Sequence, residues 1–226
     1  LNLNGARLYE SGAQMRTCCE HLVNLQELHL YGNYIGVHGL SAIALADQIP
    51  ALKKLNLANN DLSNDGVLVM LEMSLASEVT SLYLAGNSLD NEAMEMLAAS
   101  TQLENLEKLR IGNNLFEASG IAAFVESPHL SKLELFDASE NEIEDDGAIA
   151  IASSESMSNL THLELLACEI EEDGAIALAN ATHMTRLQKL KLRYNDIGEA
   201  GALALANATH LPESVRAQFE DWDAYL

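Results

Sequence analysis

Leucine and isoleucine recur along the chain in the pattern L-x-x-L-x-L-x-x-N-x-L/I, and the whole pattern returns every 27 residues. Within each unit two leucines alternate with polar residues, as at Leu28 and Leu30 or Leu190 and Leu192. This alternation is typical of a short strand that buries one face. A polar turn follows, and then a run rich in Ala and Leu that favours a helix. The pattern therefore predicts alternating strands and helices, with each strand parallel to the previous one.

One polar position marks the period most clearly. Its eight members, six of which are Asn, are Ala6, Asn33, Asn60, Asn87, Asn114, Asn141, Cys168 and Asn195. A fixed period of this length is typical of a solenoid. Backbone groups that leave the strand at this turn need partners, and a side-chain amide can both donate and accept. We therefore predict a buried stack of Asn side chains, with Cys168 as a reduced core thiol in the same stack.

The repeating frame resembles the leucine-rich repeat of the ribonuclease-inhibitor-like class. The segments Gly-Ala-Leu-Ala at 201–204 and Gly-Ala-Ile-Ala at 147–150 and 174–177 are also similar to the bacterial GALA-type repeats. The resemblance implies an α/β fold, a curved horseshoe solenoid with a parallel sheet on its concave face and helices on its convex face. We expect about eight 27-residue repeats over residues 1–210, forming one leucine-rich repeat domain.

The pattern changes after His210. Pro212 and Glu213 form a typical helix start, and Val215, Phe219, Trp222 and Leu226 then follow at helical spacing. We predict a C-terminal capping helix over residues 211–226, because the last unit of a solenoid needs a cover for its core. The alternative is a helix that docks another domain, in which case Trp222 would be exposed.

Charge and composition exclude several classes of function. The 226 residues carry a formal net charge of -22, which disfavours partners such as nucleic acid and anionic membrane surfaces. No apolar run is long enough for a transmembrane helix. The three cysteines form neither an even disulfide framework nor a C-x-x-C pair, so we expect a reducing, cytoplasmic location. We expect a monomer.

The sequence contains no recognisable catalytic motif. Its seven histidines are dispersed, and it has no H-E-x-x-H, no phosphate-binding glycine loop and no nucleophile elbow. We therefore expect no enzymatic activity and no cofactor. Acidic residues at 142–146 and 169–173 could hold a divalent cation, but acids also favour the start of a helix, and we expect that role and no metal site.

Residues between the buried leucines should form rows along the concave face. The central row is Asn2, His29, Asn56, Tyr83, Arg110, Asp137, Glu164 and Lys191. Neighbours in a row should lie about 5 Å apart, so Arg110 can pair with Asp137, and Glu164 with Lys191. Half of the twelve basic residues fall on this face and its two flanking rows.

These rows predict a surface that binds a protein or peptide partner. Tyr and Arg are enriched at the residues that dominate binding energy. We predict an aromatic cluster near the N-terminal end and a basic cluster in the last repeat. The predicted partner-binding residues are Tyr31, Tyr34, Tyr83, Arg110, Lys189, Lys191, Arg193 and Tyr194. The partner should carry an acidic patch opposite the last repeats.

Two alternatives follow from the resemblances. The GALA-type repeats imply the substrate receptor of a ubiquitin-ligase assembly, or an effector, with an F-box before the repeats. A similarity to Ran GTPase-activating proteins implies a regulator of a small GTPase, with Arg7 as the arginine that would act on the nucleotide. A segment of a larger assembly, with a purely structural role, is the third possibility.

Overall fold

A single parallel sheet runs the length of the molecule. The computed structural model describes residues 1–9, 24–44, 52–72 and 77–220. In these ranges the sheet has seven strands in chain order, which are β1 Glu27–His29, β2 Lys54–Asn56, β3 Ser81–Tyr83, β4 Lys108–Arg110, β5 Leu135–Asp137, β6 His162–Glu164 and β7 Lys189–Lys191. A parallel bridge between Asn2 and His29 continues the order at the N-terminal end. The predicted parallel solenoid is confirmed.

A helix follows every strand and forms the second layer. The helices are α1 Gly36–Ala44, α2 Ser63–Glu72, α3 Asn91–Ala99, α4 Ala118–Val125, α5 Glu144–Ser153, α6 Glu172–Ala179, α7 Gly198–Asn207 and α8 Glu213–Arg216. Consecutive helices pack side by side. A Cβ at Gly201 would lie 2.8 Å from the Cβ of Ala175, so the first glycine of the Gly-Ala-Leu-Ala segment permits this close approach. None of the described helices is long and apolar enough to cross a membrane.

The core lies between the sheet and the helices and consists mainly of leucine. The fifth strand departs from this composition, since Phe136 and Ala138 occupy the two core positions, and both are fully buried. Phe136 stacks on Phe124 with ring centroids 5.1 Å apart, so the larger ring fills the layer while the small Ala138 lies beside it. Leu135 lies on the outer face of the sheet.

The Asn stack forms as predicted and links each repeat to the next. The Asn60 amide nitrogen donates to the carbonyl oxygens of Leu30 and Leu57, both at 2.9 Å. Its Oδ1 accepts the backbone N–H of Asn33 at 3.0 Å. Every such side chain therefore satisfies buried backbone groups of two consecutive repeats, which would otherwise be costly to leave without partners.

Cys168 occupies one position of this stack as a free, buried thiol. Its Sγ lies 3.5 Å from the Ala138 carbonyl oxygen and 3.4 Å from that of Leu166, and a thiol is a weak donor. Burial raises the pKa of the thiol to about 12. The group therefore stays protonated and acts as a small core side chain, as the sequence predicts.

Replacing Cys168 with Asn should increase stability, because an amide restores the stronger hydrogen bonds that Asn makes in the other repeats. We expect the free energy of unfolding to rise by about 1 kcal/mol. Urea denaturation of the wild type and of Cys168→Asn measures the difference, and Cys168→Ala serves as the control that removes the thiol without adding an amide. A Cys168→Asn variant less stable than the Ala variant would contradict this account of the stack.

The chain after the last repeat folds back onto the end of the solenoid. Helix α8 is followed by a 3₁₀ turn at Ala217–Phe219, and both segments pack against α7. Val215 and Phe219 are buried, whereas Trp222 and Leu226 lie outside the described residues. The predicted continuous helix is therefore one α-helical turn and one 3₁₀ turn in the described part. The capping role of residues 211–226 stays a prediction.

Candidate functional site

The exposed face of the sheet carries the rows that the sequence predicts. Strand register places the central row in the order His29, Asn56, Tyr83, Arg110, Asp137, Glu164 and Lys191. One flanking row is Glu27, Lys54, Ser81, Lys108, Leu135, His162 and Lys189. Residues that are 27 positions apart in the sequence are thus paired in the sheet. Side chains from distant parts of the chain therefore become neighbours.

Glu164 is the centre of an ion-pair network on this face. Its side chain is only 4% exposed, and its carboxylate lies 2.8 Å from Lys191 Nζ and 3.4 Å from Lys189 Nζ. Arg110 Nη1 lies 3.5 Å from Glu164 and 2.5 Å from Asp137. The two predicted pairs are confirmed. The contacts of Glu164 with Arg110 and Lys189 were not predicted, and they join the two pairs into one network.

The cations keep the buried carboxylate ionised. Burial alone would raise the pKa of Glu164. The hydrogen bond from Lys191 and the charges of Arg110, Lys191 and Lys189 together lower it by more than burial raises it, so the pKa lies below its ordinary value. The hydrogen bond to Glu164 raises the pKa of Lys191 in turn. Three cations face two carboxylates in the network, and the face therefore retains local positive charge on a strongly acidic chain.

A cavity of about 500 Å³ lies next to this network at the C-terminal end of the sheet. Four predicted binding residues line it, which are Lys189, Lys191, Arg193 and Tyr194. Its other lining residues are Leu166, Leu192, Gln218 and Phe219. The structure thus brings the predicted basic cluster together. Gln218 and Phe219 were missed because they belong to the segment beyond the repeats, where the period makes no prediction.

The predicted aromatic residues at the N-terminal end have separate neighbours. Tyr34 lies on the loop beyond Asn33 and stacks on Tyr9, with ring centroids 6.3 Å apart. Tyr83 is on β3, and Lys54 Nζ lies 5.5 Å from its ring centroid. Tyr31 is exposed. The aromatic cluster near the N-terminal end stays a prediction.

Tyr194 has an unusual backbone conformation for its side chain. The residue before the Asn position is left-handed in every described repeat, with φ between 51° and 66°. Gly or Asn, which tolerate this conformation, occupy it at Gly32, Asn59, Gly86 and Asn113. Tyr194 has φ 64°, and the residue is 81% exposed. The strain at this position is therefore not offset by burial of the ring.

The acidic loops contribute to the ends of helices. Asp145 Oδ1 accepts the backbone N–H groups of Glu171 at 2.8 Å and Gly174 at 2.9 Å, so it satisfies the start of α6 from the preceding repeat. This is the helix-start role that the sequence predicts for these acids. Within the described ranges, no group of three or more His, Cys, Asp or Glu side chains is arranged to hold a metal ion.

Fold and surface together define an α/β solenoid built from short parallel strands and helices. A family model described as "Leucine Rich repeat" matches residues 21–44, 50–71, 126–152, 156–179 and 183–206, which together exceed half of the chain. The chain belongs to the leucine-rich repeat family. No curated protein sequence matches the chain.

Solved structures show the same fold at low sequence identity. Internalin C2 from Listeria monocytogenes is 18% identical and superposes with a TM-score of 0.58, covering 84% of this chain and 80% of its own. An internalin (inlF) from the same organism is 18% identical, with a TM-score of 0.54 over 82% of this chain. The match spans 45% of that internalin, less than half of its length.

Proposed function

We propose that the chain is a protein-protein interaction module that binds a protein or peptide partner on its concave strand face. The distribution of charge carries this proposal. Five of the twelve basic residues lie on the strands of a chain whose net charge is -22, and Arg193 lies in the turn after the last strand. These six residues are Lys54, Lys108, Arg110, Lys189, Lys191 and Arg193. A basic strip on an acidic body selects partners with an acidic patch.

The face is preorganised for binding. Backbone hydrogen bonds hold the strands in register, and Glu164 holds the side chains of Arg110, Lys189 and Lys191 in place. A surface that is ordered before association loses little conformational entropy when the partner binds. The residues that we propose to contact the partner are Tyr31, Tyr34, Tyr83, Arg110, Lys189, Lys191, Arg193 and Tyr194.

We also propose a repeat subclass, a cellular location and an oligomeric state for the chain. Membership of the ribonuclease-inhibitor-like class, with GALA-type repeats, is supported by the close packing of Gly201 on Ala175. A cytoplasmic location is supported by the free thiol of Cys168. We assign no catalytic step to the chain, and we propose that it acts as a monomer.

A pull-down with matched variants tests the binding face. One variant combines Tyr31→Ala, Arg110→Ala and Arg193→Ala on the strand rows. The control combines Leu203→Ala, Lys132→Ala and Arg186→Ala, which removes one apolar side chain and two cations outside these rows. We expect the wild type and the control to retain the same proteins, and the first variant to retain about tenfold less of them.

Circular dichroism checks that all three proteins are folded. Equal retention of the same proteins by the strand-row variant and the wild type would rule out the concave face as the binding surface. Loss of retention in the control alone would place the binding surface on the helices and loops instead.

A further inference from the structure

The cavity at the C-terminal end of the sheet combines two kinds of wall. Lys189, Lys191 and Arg193 line it together with the apolar residues Leu166, Leu192 and Phe219, of which Leu166 is partly exposed. Its volume of about 500 Å³ lies within the range of small ligand sites. A ligand that fills it must therefore offer an anionic group and an apolar group close together.

Glu164 positions the cationic wall without neutralising it. The carboxylate accepts one hydrogen bond from Lys191 at 2.8 Å and one from Lys189 at 3.4 Å. Each ammonium has three N–H donors, so both lysines retain donors for a second anion. Glu164 already restricts the motion of the Lys189 and Lys191 side chains. Binding of a second anion would therefore cost little further side-chain entropy. The cavity is thus a preorganised site for an acidic group.

Tyr194 lies at the rim of the same cavity. Its left-handed backbone costs about 1–2 kcal/mol for a residue other than glycine. The residue is 81% exposed, so its ring gains little from packing within the chain. An exposed aromatic ring with a hydroxyl is a typical anchor for a peptide partner, because it offers large area and a polar tip. A peptide in the cavity would therefore contact the Tyr194 ring, which is exposed in the free protein.

We propose that this cavity binds an extended peptide segment that carries an acidic side chain beside an apolar one. The carboxylate lies against Lys189 and Lys191, the apolar side chain lies on Leu166 and Phe219, and Tyr194 covers the peptide from the rim. This inference rests on the proposed function, and it names the chemistry of the segment that the last repeats recognise. Nucleic acid is a poorer occupant, because the net charge of -22 repels it and the cavity is partly apolar.

Selection from a display library of random seven-residue linear peptides on the full chain tests the proposal. We expect enrichment of peptides with Asp or Glu next to Leu, Ile, Phe or Trp. One enriched peptide, synthesised with a fluorescent label, is then titrated by anisotropy against the variant Lys189→Gln with Tyr194→Ala. We expect binding at least about tenfold weaker than to the wild type, and weaker binding at high salt.

The matched control is Lys132→Gln with Tyr9→Ala, which makes the same two changes outside the cavity and outside the residues that we propose to contact the partner. Lys132 and Tyr9 are both exposed. We expect the control to bind the peptide like the wild type. Equal losses in both double variants, or no loss in the cavity variant, would overturn the cavity as the peptide site. Undiminished retention of partner proteins by the Tyr31→Ala, Arg110→Ala, Arg193→Ala variant in the pull-down would instead remove the proposed function itself.

Two other occupants are separate outcomes of the test. If an oligo-dT single strand binds as tightly as the peptide and with the same loss in the cavity variant, the cavity recognises phosphate and the proposal fails. The chain's own segment 220–226 contains Asp221, Trp222 and Asp223, which have the same chemistry. The selection is repeated on a variant of the chain with Asp221→Asn and Asp223→Asn. If acidic peptides are selected on this variant but not on the wild type, the chain's own segment occupies the cavity and a partner peptide does not. A library that yields no acidic peptide from either protein also overturns the proposal.

Discussion

Replacing Asn87 with Ala should lower the free energy of unfolding by about 3–4 kcal/mol. The Asn87 amide nitrogen donates to the carbonyl oxygens of Leu57 at 3.0 Å and Leu84 at 2.9 Å. Its Oδ1 accepts the backbone N–H groups of Asn60 at 3.0 Å and Leu62 at 3.3 Å. Each buried backbone group left without a partner costs about 1–3 kcal/mol, and partial relaxation reduces the total. Urea denaturation followed by circular dichroism measures the loss.

The control for this prediction is an Asn outside the stack. Asn207 is exposed and donates to the Leu203 carbonyl oxygen at 2.9 Å, so Asn207→Ala should change stability by less than about 0.5 kcal/mol. Asn87→Cys imitates the natural arrangement at Cys168 and should fall between the wild type and Asn87→Ala. Similar stability in all four proteins would show that the Asn stack contributes little to the fold.

Replacing Glu164 with Gln should cost about 2 kcal/mol of stability at neutral pH. Removing one partner of a buried ion pair costs about 3–5 kcal/mol, because the other charge stays buried. The side chains of Lys189 and Lys191 are 44% and 33% exposed, so water can hydrate them and reduce the loss. Gln retains the size of the side chain but presents an amide N–H₂ toward three cations. Urea denaturation of the two proteins at about pH 7 gives the difference.

The effect of Glu164→Gln should depend on pH in one direction. The pKa of Glu164 is lower in the folded protein than its ordinary value of 4.5, so ionisation of this group stabilises the fold above that value. The contribution is lost as the pH falls through the lowered pKa. The stability difference between wild type and variant should therefore shrink as the pH falls below 4.5.

Glu78 is the matched control, because it also forms an ion pair but at an exposed site, 2.7 Å from Lys53 Nζ. Glu78→Gln should leave the free energy of unfolding nearly unchanged at every pH. A Glu164→Gln difference that does not shrink as the pH is lowered would show that the charge of Glu164 does not contribute to stability.

The rows on the concave face could be predicted because a parallel solenoid converts sequence period into register. Arg110 and Asp137 are 27 residues apart and therefore adjacent, as are Glu164 and Lys191. The contact between Arg110 and Glu164 spans two repeats and depends on the reach of the guanidinium group. A prediction that considers only adjacent strands misses this contact. The length of the Arg side chain is the signal in the sequence that could have indicated it.

The aromatic residues show a second limit of the period. Tyr34 follows the Asn turn, where the backbone has left the sheet, and its partner is Tyr9 on the preceding repeat. Tyr83 remains on a strand and lies near Lys54. The period therefore does not show which neighbour each aromatic ring contacts, because that depends on where the residue lies within its unit.

The 27-residue pattern by itself determined the alternation of strand and helix, the register of the sheet, the buried Asn stack and the rows of the concave face. The pattern determines these features because equivalent residues of successive repeats have the same local environment. The periodicity of the sequence is enough to define that environment. Only the tertiary structure decided that Glu164 collects three cations, and that Gln218 and Phe219 complete a cavity with Lys189 and Tyr194. These features depend on side-chain reach and on the path of the chain after the last repeat, and neither property is periodic.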